Sequence, residues 1–334
     1  MQPHRIDSYA RRDLVFDVTD SGPLDGPVVV LLHGFPSNRG GWAAVAAELN
    51  AAGVRTVAPD QRGYSPGASP PRRRDYRAEL VVDDAIALIG ALGAEPVHAV
   101  GHDWGGFVVW QLRGTAAELL SGATVLSTPH PRAMLRSLVS SAQLARSAYI
   151  GFFQLPGIPE RVLLPRMARL LRASGLPDDI ADDYAAFMAR PGRLRTALNW
   201  YRGMWLPPRR AAPSVASGPP TTFLWGARDP FLGRRAARLT GRFAGPGYRF
   251  VEVDADHWLP ETHAAVVARR ILADLAVKPG MAVKRVGSRR RVRCPARAGP
   301  CANEGSHRPL RARAGSRRPP PPAGRRCRSR RRSR

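Results

Sequence analysis

The chain has 334 residues, with 52 Lys and Arg against 26 Asp and Glu, which gives a net charge of +26. This charge is unevenly spread, because residues 278–334 contain 20 basic residues and one acid, whereas the rest of the chain carries only +7. The body of the chain therefore lacks the even positive charge expected of a protein that binds nucleic acid or a membrane surface.

Lysine and cysteine are absent from the first 277 residues, because the only lysines are Lys278 and Lys284 and the cysteines are Cys294, Cys301 and Cys327. This excludes from the body a lysine-based phosphate loop, a Schiff base, a disulfide framework, a cysteine metal site and a thiol nucleophile. We expect neither a metal nor a cofactor. With no signal-peptide core and no apolar stretch of roughly 20 residues, the chain is predicted to be soluble and cytoplasmic, without a membrane partner.

Short apolar segments rich in branched residues alternate with helical patterns along most of the chain. The predicted strands are Leu14–Val18, Val28–His33, Val54–Pro59, Val97–Gly101, Ala123–Thr128, Thr222–Gly226 and Tyr248–Val253. The predicted helices between them are Gly41–Ala52, Arg77–Leu92, Gly105–Ala117 and Glu261–Leu275. Strands that alternate with helices favour an α/β fold with a mostly parallel central sheet and helices on both faces.

The alternation stops between Pro129 and about Pro220, where the pattern is helical. The helices predicted there are Ala133–Phe153, Glu160–Ala173 with a kink at Pro165, Asp178–Arg190 and Leu194–Met204. We expect this insertion to lie as a cap over the carboxyl ends of the strands, where ligands bind in such sheets. The predicted organisation is a core of residues 1–128 and 221–277, a helical cap of residues 129–220 and a disordered tail of residues 278–334.

The tail is rich in Arg and Pro and has almost no apolar periodicity, so it cannot bury enough surface to order itself. An Arg-rich arm is typical of contact with nucleic acid, but this one has no aromatic side chain for base stacking. We therefore favour a tail without a specific role, including translation past a native frame, over a nucleic-acid arm.

A buried strand runs directly into a helix through the turn Gly101-His102-Asp103-Trp104-Gly105. A Gly-x-Asp-x-Gly turn presents its central side chain above the sheet, while its glycines let strand and helix approach closely. Asp103 is thus predicted to be a nucleophile, with a helix-capping aspartate as the alternative. A Gly-x-Ser-x-Gly match around Ser65 would indicate a serine hydrolase, but prolines forbid an immediate helix after it, so Ser65 is predicted to be a loop residue.

Residues 12–276 resemble the α/β-hydrolase fold and, within it, the branch of soluble epoxide hydrolases and haloalkane dehalogenases. The resemblance depends on the cap and on the motifs His33-Gly34-Phe35-Pro36, Asp60-Gln61-Arg62-Gly63-Tyr64, Gly101–Gly106, Trp225–Pro230 and Asp256-His257-Trp258. It implies Asp103 as nucleophile, Asp229 as acid and His257 as base. It also implies an oxyanion hole from the backbone N–H groups of Phe35 and Trp104, and a substrate pocket that includes His33, Pro36, His102 and Trp258.

A carboxylate nucleophile restricts the reaction. Attack on an acyl carbon would give only an anhydride, whereas attack on a tetrahedral carbon that bears a strained or departing heteroatom gives an ester that water can cleave. Asp103 therefore indicates epoxides or alkyl halides. In the second step His257, oriented by Asp229, would take a proton from the water that attacks the Asp103 carbonyl carbon. Asp254 and Asp256 are rival acids, which we interpret as loop charges because the family places the acid after the preceding strand.

The leaving group separates the two substrate classes. Epoxide opening releases a basic alkoxide, to which a tyrosine hydroxyl can donate. In epoxide hydrolases two cap tyrosines do this, and the resemblance matches them to Tyr149 and Tyr201. Phe35 stands where dehalogenases commonly carry Asn, and no carboxylate follows Ala123–Thr128, where some dehalogenases have the acid.

The sequence thus predicts an epoxide hydrolase that needs no cofactor and forms a vicinal diol from a small apolar epoxide and water. One alternative is a hydrolytic haloalkane dehalogenase. The other is an Arg-rich nucleic-acid-binding protein whose hydrolase-like body is inert.

Overall fold

The computed structural model describes residues 4–93, 96–207 and 218–276, and their strands form one eight-stranded sheet. The strands are β1 (Ser8–Arg11), β2 (Leu14–Ser21), β3 (Val28–Leu32), β4 (Arg55–Pro59), β5 (Val97–His102), β6 (Leu120–Leu126), β7 (Thr221–Gly226) and β8 (Tyr248–Val253). Their spatial order is β1-β2-β4-β3-β5-β6-β7-β8, with antiparallel pairing at β1–β2 and β2–β4 and parallel pairing elsewhere. The predicted mostly parallel sheet is confirmed.

Helices connect most of the parallel strands. They are α1 (Ala43–Ala51), α2 (Ala78–Leu92), α3 (Trp104–Thr115), α4 (Pro131–Leu138), α5 (Gln143–Arg146), α6 (Ala148–Phe153), α7 (Ile158–Leu163), α8 (Met167–Ala173), α9 (Asp178–Met188), α10 (Arg193–Gly203), α11 (Arg234–Leu239), α12 (Leu259–Thr262) and α13 (Ala264–Ala276). The single helix predicted over Glu261–Leu275 is instead α12 and α13, which are separated at His263. None of the described helices has the length and apolar character that crossing a bilayer requires.

The two faces of the sheet have separate apolar cores, because side chains along a strand point alternately to opposite faces. Val30 and Leu32 of β3 belong to the core with α2 and α3, whereas Val29 and Leu31 belong to the core with α1 and α13. Since both faces are covered, every residue of β5 and of β7 is buried. The first of these cores also includes side chains from the helices between β6 and β7, which are therefore packed onto that side of the molecule.

The edge strand β1 has no clear signature in the sequence. Only Tyr9 of its four residues is buried, so the segment lacks the apolar run that marks the central strands. It pairs with β2 across a tight turn in which Arg12 has a φ of 53°. An edge strand needs only one buried side chain, and so its pattern is too weak to predict.

The predicted helix over Ala133–Phe153 is wrong, because this segment forms the three short helices α4, α5 and α6. Ser140 and Ser141 lie at the first break. Their hydroxyls donate to the carbonyls of Arg136 and Ser137 at 2.7 and 2.8 Å. Serine side chains that bond the backbone in this way compete with the continuing helix.

The kink predicted at Pro165 is confirmed, since a 3₁₀ turn over Leu164–Arg166 separates α7 from α8. Helices α9 and α10 lie within a few residues of their predicted ranges. The prediction for residues 278–334 falls outside the described residues, and so do residues 208–217 of the predicted cap.

Candidate active site

Asp103 lies on the bend between β5 and α3, at the carboxyl edge of the sheet. Its φ of 50° and ψ of −118° are strained for a residue with a side chain. A Cβ at Gly101 would overlap the carbonyl of Gly105, and a Cβ at Gly105 would overlap the carbonyl of Leu32. The two glycines therefore permit the close packing that holds Asp103 on this bend.

Backbone N–H groups surround the Asp103 carboxylate. The N–H of Phe35 donates to Oδ1 at 2.9 Å, and the N–H of Trp104, the next residue in the chain, also favours the charged carboxylate and lowers its pKa. Burial nevertheless raises the pKa of Asp103 above its usual value, against the opposing effects of His257 and of these two donors. The two backbone groups that the resemblance assigns to an oxyanion hole thus both lie at the predicted nucleophile.

His257 lies between β8 and α12, and its ring lies between two carboxylates. Nδ1 is 2.8 Å from Asp229 Oδ2, and Nε2 is 3.8 Å from Asp103 Oδ2. Burial disfavours the imidazolium, but the charge and hydrogen bond of Asp229 and the charge of Asp103 outweigh burial and raise the pKa of His257 to about 9. The ring is therefore positively charged at neutral pH while Asp103 is ionised.

Asp229 follows β7 and is buried. Its Oδ1 accepts hydrogen bonds from the N–H groups of Phe231 and Leu232 at 2.8 and 2.9 Å. The other oxygen, Oδ2, faces His257. These bonds fix the orientation of the carboxylate. When the His257 ring is neutral, the carboxylate therefore favours the tautomer that has its hydrogen on Nδ1.

The residues that the sequence offers as alternatives lie elsewhere. Asp254 has a side chain that is 87% exposed and pairs with Arg228. Asp256 accepts from the N–H of Trp258 at 2.9 Å. Ser65 is fully buried and donates to the carbonyl of Asp60 at 2.8 Å. None of the three has a hydrogen bond to His257 among the residues described.

A cavity of about 350 Å³ lies against Asp103 and His257. Pro36 and Trp258 also line it, and Tyr149 and Tyr201 line it from α6 and α10. The rest of its wall is mostly apolar, and consists of Phe35, Phe152, Phe153, Leu163, Met167, Leu170, Leu171, Ala173, Ser174, Pro230 and Phe231. A largely apolar cavity with a few converging polar groups is typical of a site for a small molecule.

Tyr149 and Tyr201 are neighbours on this wall, with ring centroids 6.1 Å apart. Burial raises the pKa of both phenols, and the charge of Asp103 adds to the effect. Both hydroxyls are therefore protonated at neutral pH and can donate to an oxygen atom in the cavity.

Two residues predicted in the pocket, His33 and His102, are absent from the described cavity wall. His33 Nε2 accepts from the N–H of Gln61 at 3.1 Å, and His33 Nδ1 is 3.0 Å from the carbonyl of Gly34, so His33 braces the loop that carries Phe35. His102 donates from Nε2 to the carbonyl of His257 at 2.9 Å. Both side chains are almost fully buried and bonded to the main chain, which leaves them behind the wall rather than on it.

A buried chain of hydrogen bonds beside His257 has no signature in the sequence. Tyr184 on α9 donates to Glu261 Oε1 on α12 at 2.7 Å and accepts from Ser37 Oγ at 2.7 Å. Burial raises the pKa of Glu261 to about 7, and the charge of Glu261 adds to the raised pKa of His257. In the sequence this glutamate resembles any acid in the first turn of a helix, where a carboxylate is ordinary.

Comparison with known proteins identifies the family. A sequence profile described as "Alpha/beta hydrolase family" matches residues 29–270. The AB hydrolase superfamily protein YfhM of Bacillus subtilis is 36% identical over 268 residues, which cover 78% of this chain and 93% of that protein. Epoxide hydrolase A of Mycobacterium tuberculosis is 32% identical, with 76% of this chain and 92% of the relative covered. The crystal structure of epoxide hydrolase A from Mycobacterium thermoresistibile is similar with a TM-score of 0.68 at 27% identity, and the match covers 81% of this chain and 97% of that one. The chain is therefore a hydrolase of the alpha/beta hydrolase family, close to the epoxide hydrolases.

Proposed function

We propose that this protein hydrolyses a small apolar epoxide to a vicinal diol, through an ester between Asp103 and a carbon of the substrate. The observation that carries the proposal is the cavity wall, on which the Asp103 carboxylate, the His257 ring and two protonated tyrosines meet. Relatives named as epoxide hydrolases support the substrate class. In this proposal α4–α10 act as a cap, because α6 and α10 supply the tyrosines and α7 and α8 supply much of the apolar wall.

In the first step, an oxygen of the Asp103 carboxylate attacks a ring carbon and the bond from that carbon to the ring oxygen breaks. The departing oxygen takes a proton from Tyr149 or Tyr201, which are protonated because burial raises their pKa. An alkoxide is far more basic than a phenolate, so this transfer is favourable. The products of the step are an ester and a tyrosine phenolate.

Formation of the ester prepares His257 for the second step. In the free enzyme the Asp103 charge helps to keep the pKa of His257 at about 9. Esterification removes that charge, so the pKa of His257 falls and its proton passes to the tyrosine phenolate, which becomes a phenol again. A neutral imidazole whose Nδ1–H is held by Asp229 then has Nε2 free to accept a proton from water. Loss of the Asp103 charge on attack thus makes His257 available as a base only after the ester has formed.

In the second step, water attacks the carbonyl carbon of the ester while His257 takes one of its protons. The oxygen atom that becomes negative is held by the N–H groups of Phe35 and Trp104, which both favour the charged carboxylate in the free enzyme. Collapse of this intermediate expels the product oxygen, which takes the proton back from His257. The second proton of the water returns to His257, so that Asp103 is again a carboxylate, His257 is again charged and the tyrosine is a phenol.

The tyrosine pair is the reason for preferring an epoxide to an alkyl halide. A departing halide takes no proton, whereas an opening epoxide requires one at the oxygen. The cavity of about 350 Å³ and its mostly apolar wall fit an epoxide with aliphatic or aromatic substituents and no charge.

A single-turnover reaction in heavy-oxygen water tests the ester. The oxygen added to the first diol should come unlabelled from Asp103, and the label should appear in the Asp103 carboxylate. A first diol whose added oxygen is fully labelled would exclude the covalent route. A panel of aryl and alkyl epoxides, short haloalkanes and aryl esters, with Asp103→Ala as the inactive control, tests the substrate class. Halide release without epoxide turnover would overturn the epoxide assignment.

A further inference from the structure

We infer that Ser127 and Thr128, the two residues that follow β6, are positioning residues that hold the base and the nucleophile by their main chains. The Ser127 Oγ–H donates to the carbonyl of His257 at 2.9 Å. The Thr128 Oγ1–H donates to the carbonyl of Asp103 at 2.7 Å. Two consecutive side chains thus bond the main chain of the base His257 and the main chain of the nucleophile Asp103. The inference rests on the proposed function.

The backbone at Ser127 makes this double contact possible. Its φ is 54°, in the left-handed region that residues with a side chain rarely adopt. Along a regular strand Ser127 and Thr128 would point to opposite faces of the sheet. The left-handed turn breaks that alternation, so that both hydroxyls reach towards the site. The N–H of Ser127 donates to the carbonyl of Leu224 at 2.9 Å, which secures the turn to β7.

The carbonyl of His257 has a second donor from another part of the sheet. His102 Nε2, at the end of β5, lies 2.9 Å from the same oxygen. Burial lowers the pKa of His102 well below its usual value, so the ring is neutral, and its one N–H must be on Nε2 to face a carbonyl. Donors from the ends of β5 and β6 therefore fix the loop that carries the base.

Thr128 lies equally close to the other half of the site. A Cβ added to Gly106 of α3 would come within 2.9 Å of the Thr128 side chain, so Thr128 packs directly on the helix that begins after Asp103. The indole N–H of Trp110 on the same helix donates to the carbonyl of Thr128 at 2.8 Å. Thr128 thus donates a hydrogen bond to Asp103, just before α3, and accepts one from Trp110 within α3.

This arrangement predicts that the two neighbours affect different steps. Loss of the Ser127 hydroxyl loosens the base and should slow ester hydrolysis by about tenfold, because small displacements of an acid or base are costly to its reaction. Loss of the Thr128 hydroxyl loosens the nucleophile and should slow ester formation by about tenfold while leaving hydrolysis nearly unchanged.

The variants Ser127→Gly, Ser127→Asn and Thr128→Val in the full chain test this. Glycine accepts a positive φ without strain, so Ser127→Gly removes the donor while keeping or raising the melting temperature. Asparagine tolerates positive φ and offers an amide donor, so Ser127→Asn should recover most of the hydrolysis rate. Valine has nearly the shape of threonine without the hydroxyl. Stopped-flow rates of ester formation and ester hydrolysis are measured for each with one epoxide substrate.

The expected result is slow hydrolysis in Ser127→Gly, recovery in Ser127→Asn and slow ester formation in Thr128→Val. Equal rates for wild type and Ser127→Gly would overturn the role of Ser127. Parallel loss of both steps together with a lower melting temperature would show that the pair is only structural, and would overturn the inference. A wild-type protein that turns over no epoxide is a separate outcome, which refutes the proposed function.

Discussion

The sheet side and the helical side of the cavity are built from different kinds of contact. On the sheet side, the carboxylates of Asp103 and Asp229 and the ring of His257 are all held by hydrogen bonds, several of them from backbone N–H groups. On the helical side, Leu163 and Met167 contribute only apolar surface. Hydrogen bonds fix direction whereas apolar contacts mainly fix volume, so under the proposed function the orientation of the nucleophile and the base depends on the strand ends, and the room for the substrate depends on the helices.

The same contrast extends to the surface. Of the large apolar side chains that are exposed in the described residues, all but Val15 lie between residues 135 and 205. The helices of this segment are also short, in contrast to α2 and α13 beside the sheet. Substitutions between residues 135 and 205 should therefore alter the range of substrates more readily than they alter the reaction steps.

The largest effect that would test this contrast is expected on the sheet side, from His257→Gln. Without the base, the ester forms but water cannot be activated, and turnover should fall roughly a thousandfold. Intact-protein mass spectrometry should then show the enzyme heavier by the mass of one epoxide. Asp103→Ala, which cannot form the ester, is the control that should show no added mass. An unmodified His257→Gln protein would contradict the proposed order of steps.

The two tyrosines belong to the helical side but act in the proposed chemistry, and they therefore sharpen the comparison. Tyr149→Phe and Tyr201→Phe should each lower the rate of ester formation by roughly ten- to a hundredfold, and the double variant by more, because one hydroxyl can partly replace the other. Ester hydrolysis should change little. Stopped-flow kinetics separates the two steps, and full activity in the double variant would remove the tyrosines from the mechanism.

A purely apolar change on the helical side should alter selectivity. Leu170 lines the cavity and is 45% exposed, so Leu170→Ala widens the rim with little loss of stability. The ratio of kcat/KM for bulky over small epoxides should rise by up to about tenfold, with kcat for the small substrate unchanged. Leu135, which is 61% exposed and does not line the cavity, provides the matched control Leu135→Ala. An equal change in both variants would show that the effect is not one of cavity shape.

The smallest effect is expected from Glu261→Gln. Ionised Glu261 raises the pKa of His257, so the substitution should lower that pKa and move the acid limb of ester hydrolysis to lower pH. Glu261 has a pKa of about 7, so the difference should be full above that pH and fade below it, where the wild-type carboxyl is neutral. Tyr184→Phe removes a hydrogen bond that lowers the pKa of Glu261, so it should raise that pKa and move the limb in the same direction by a smaller amount. If the acid limb of ester hydrolysis moved to higher pH in Glu261→Gln, the predicted direction of the pKa change at His257 would be wrong.

The bend at Asp103 and the parallel sheet could be predicted because each depends on residues that are close together in the sequence. The buried strand β5, the glycines of the turn and the helix after it are contiguous, and their spacing admits few other structures. The proximity of Asp229 and His257 can be reasoned in the same way, because both come after parallel strands whose carboxyl ends meet at one edge.

The remaining features depend on contacts that no local pattern encodes. Serine also occurs inside helices, so the sequence does not show that a helix is interrupted at Ser140 and Ser141. The break is visible only in the hydrogen bonds from their hydroxyls to the main chain. The family resemblance implies that His102 is in the pocket, but its ring instead donates a hydrogen bond to the carbonyl of His257. The chain from Ser37 through Tyr184 to Glu261 joins three distant segments and is visible only in the fold.

The 3₁₀ turn at Pro165 has a consequence for the divergence of such proteins. It joins Leu163 and Met167, which both line the cavity, across the junction of two short helices. Each residue inserted in a helix rotates the residues after it by about 100° around the helix axis. A single insertion that continued the helical winding from α7 into α8 would therefore turn Met167 and Leu171 away from the cavity and bring different side chains of α8 into it, while the strand ends stayed unchanged.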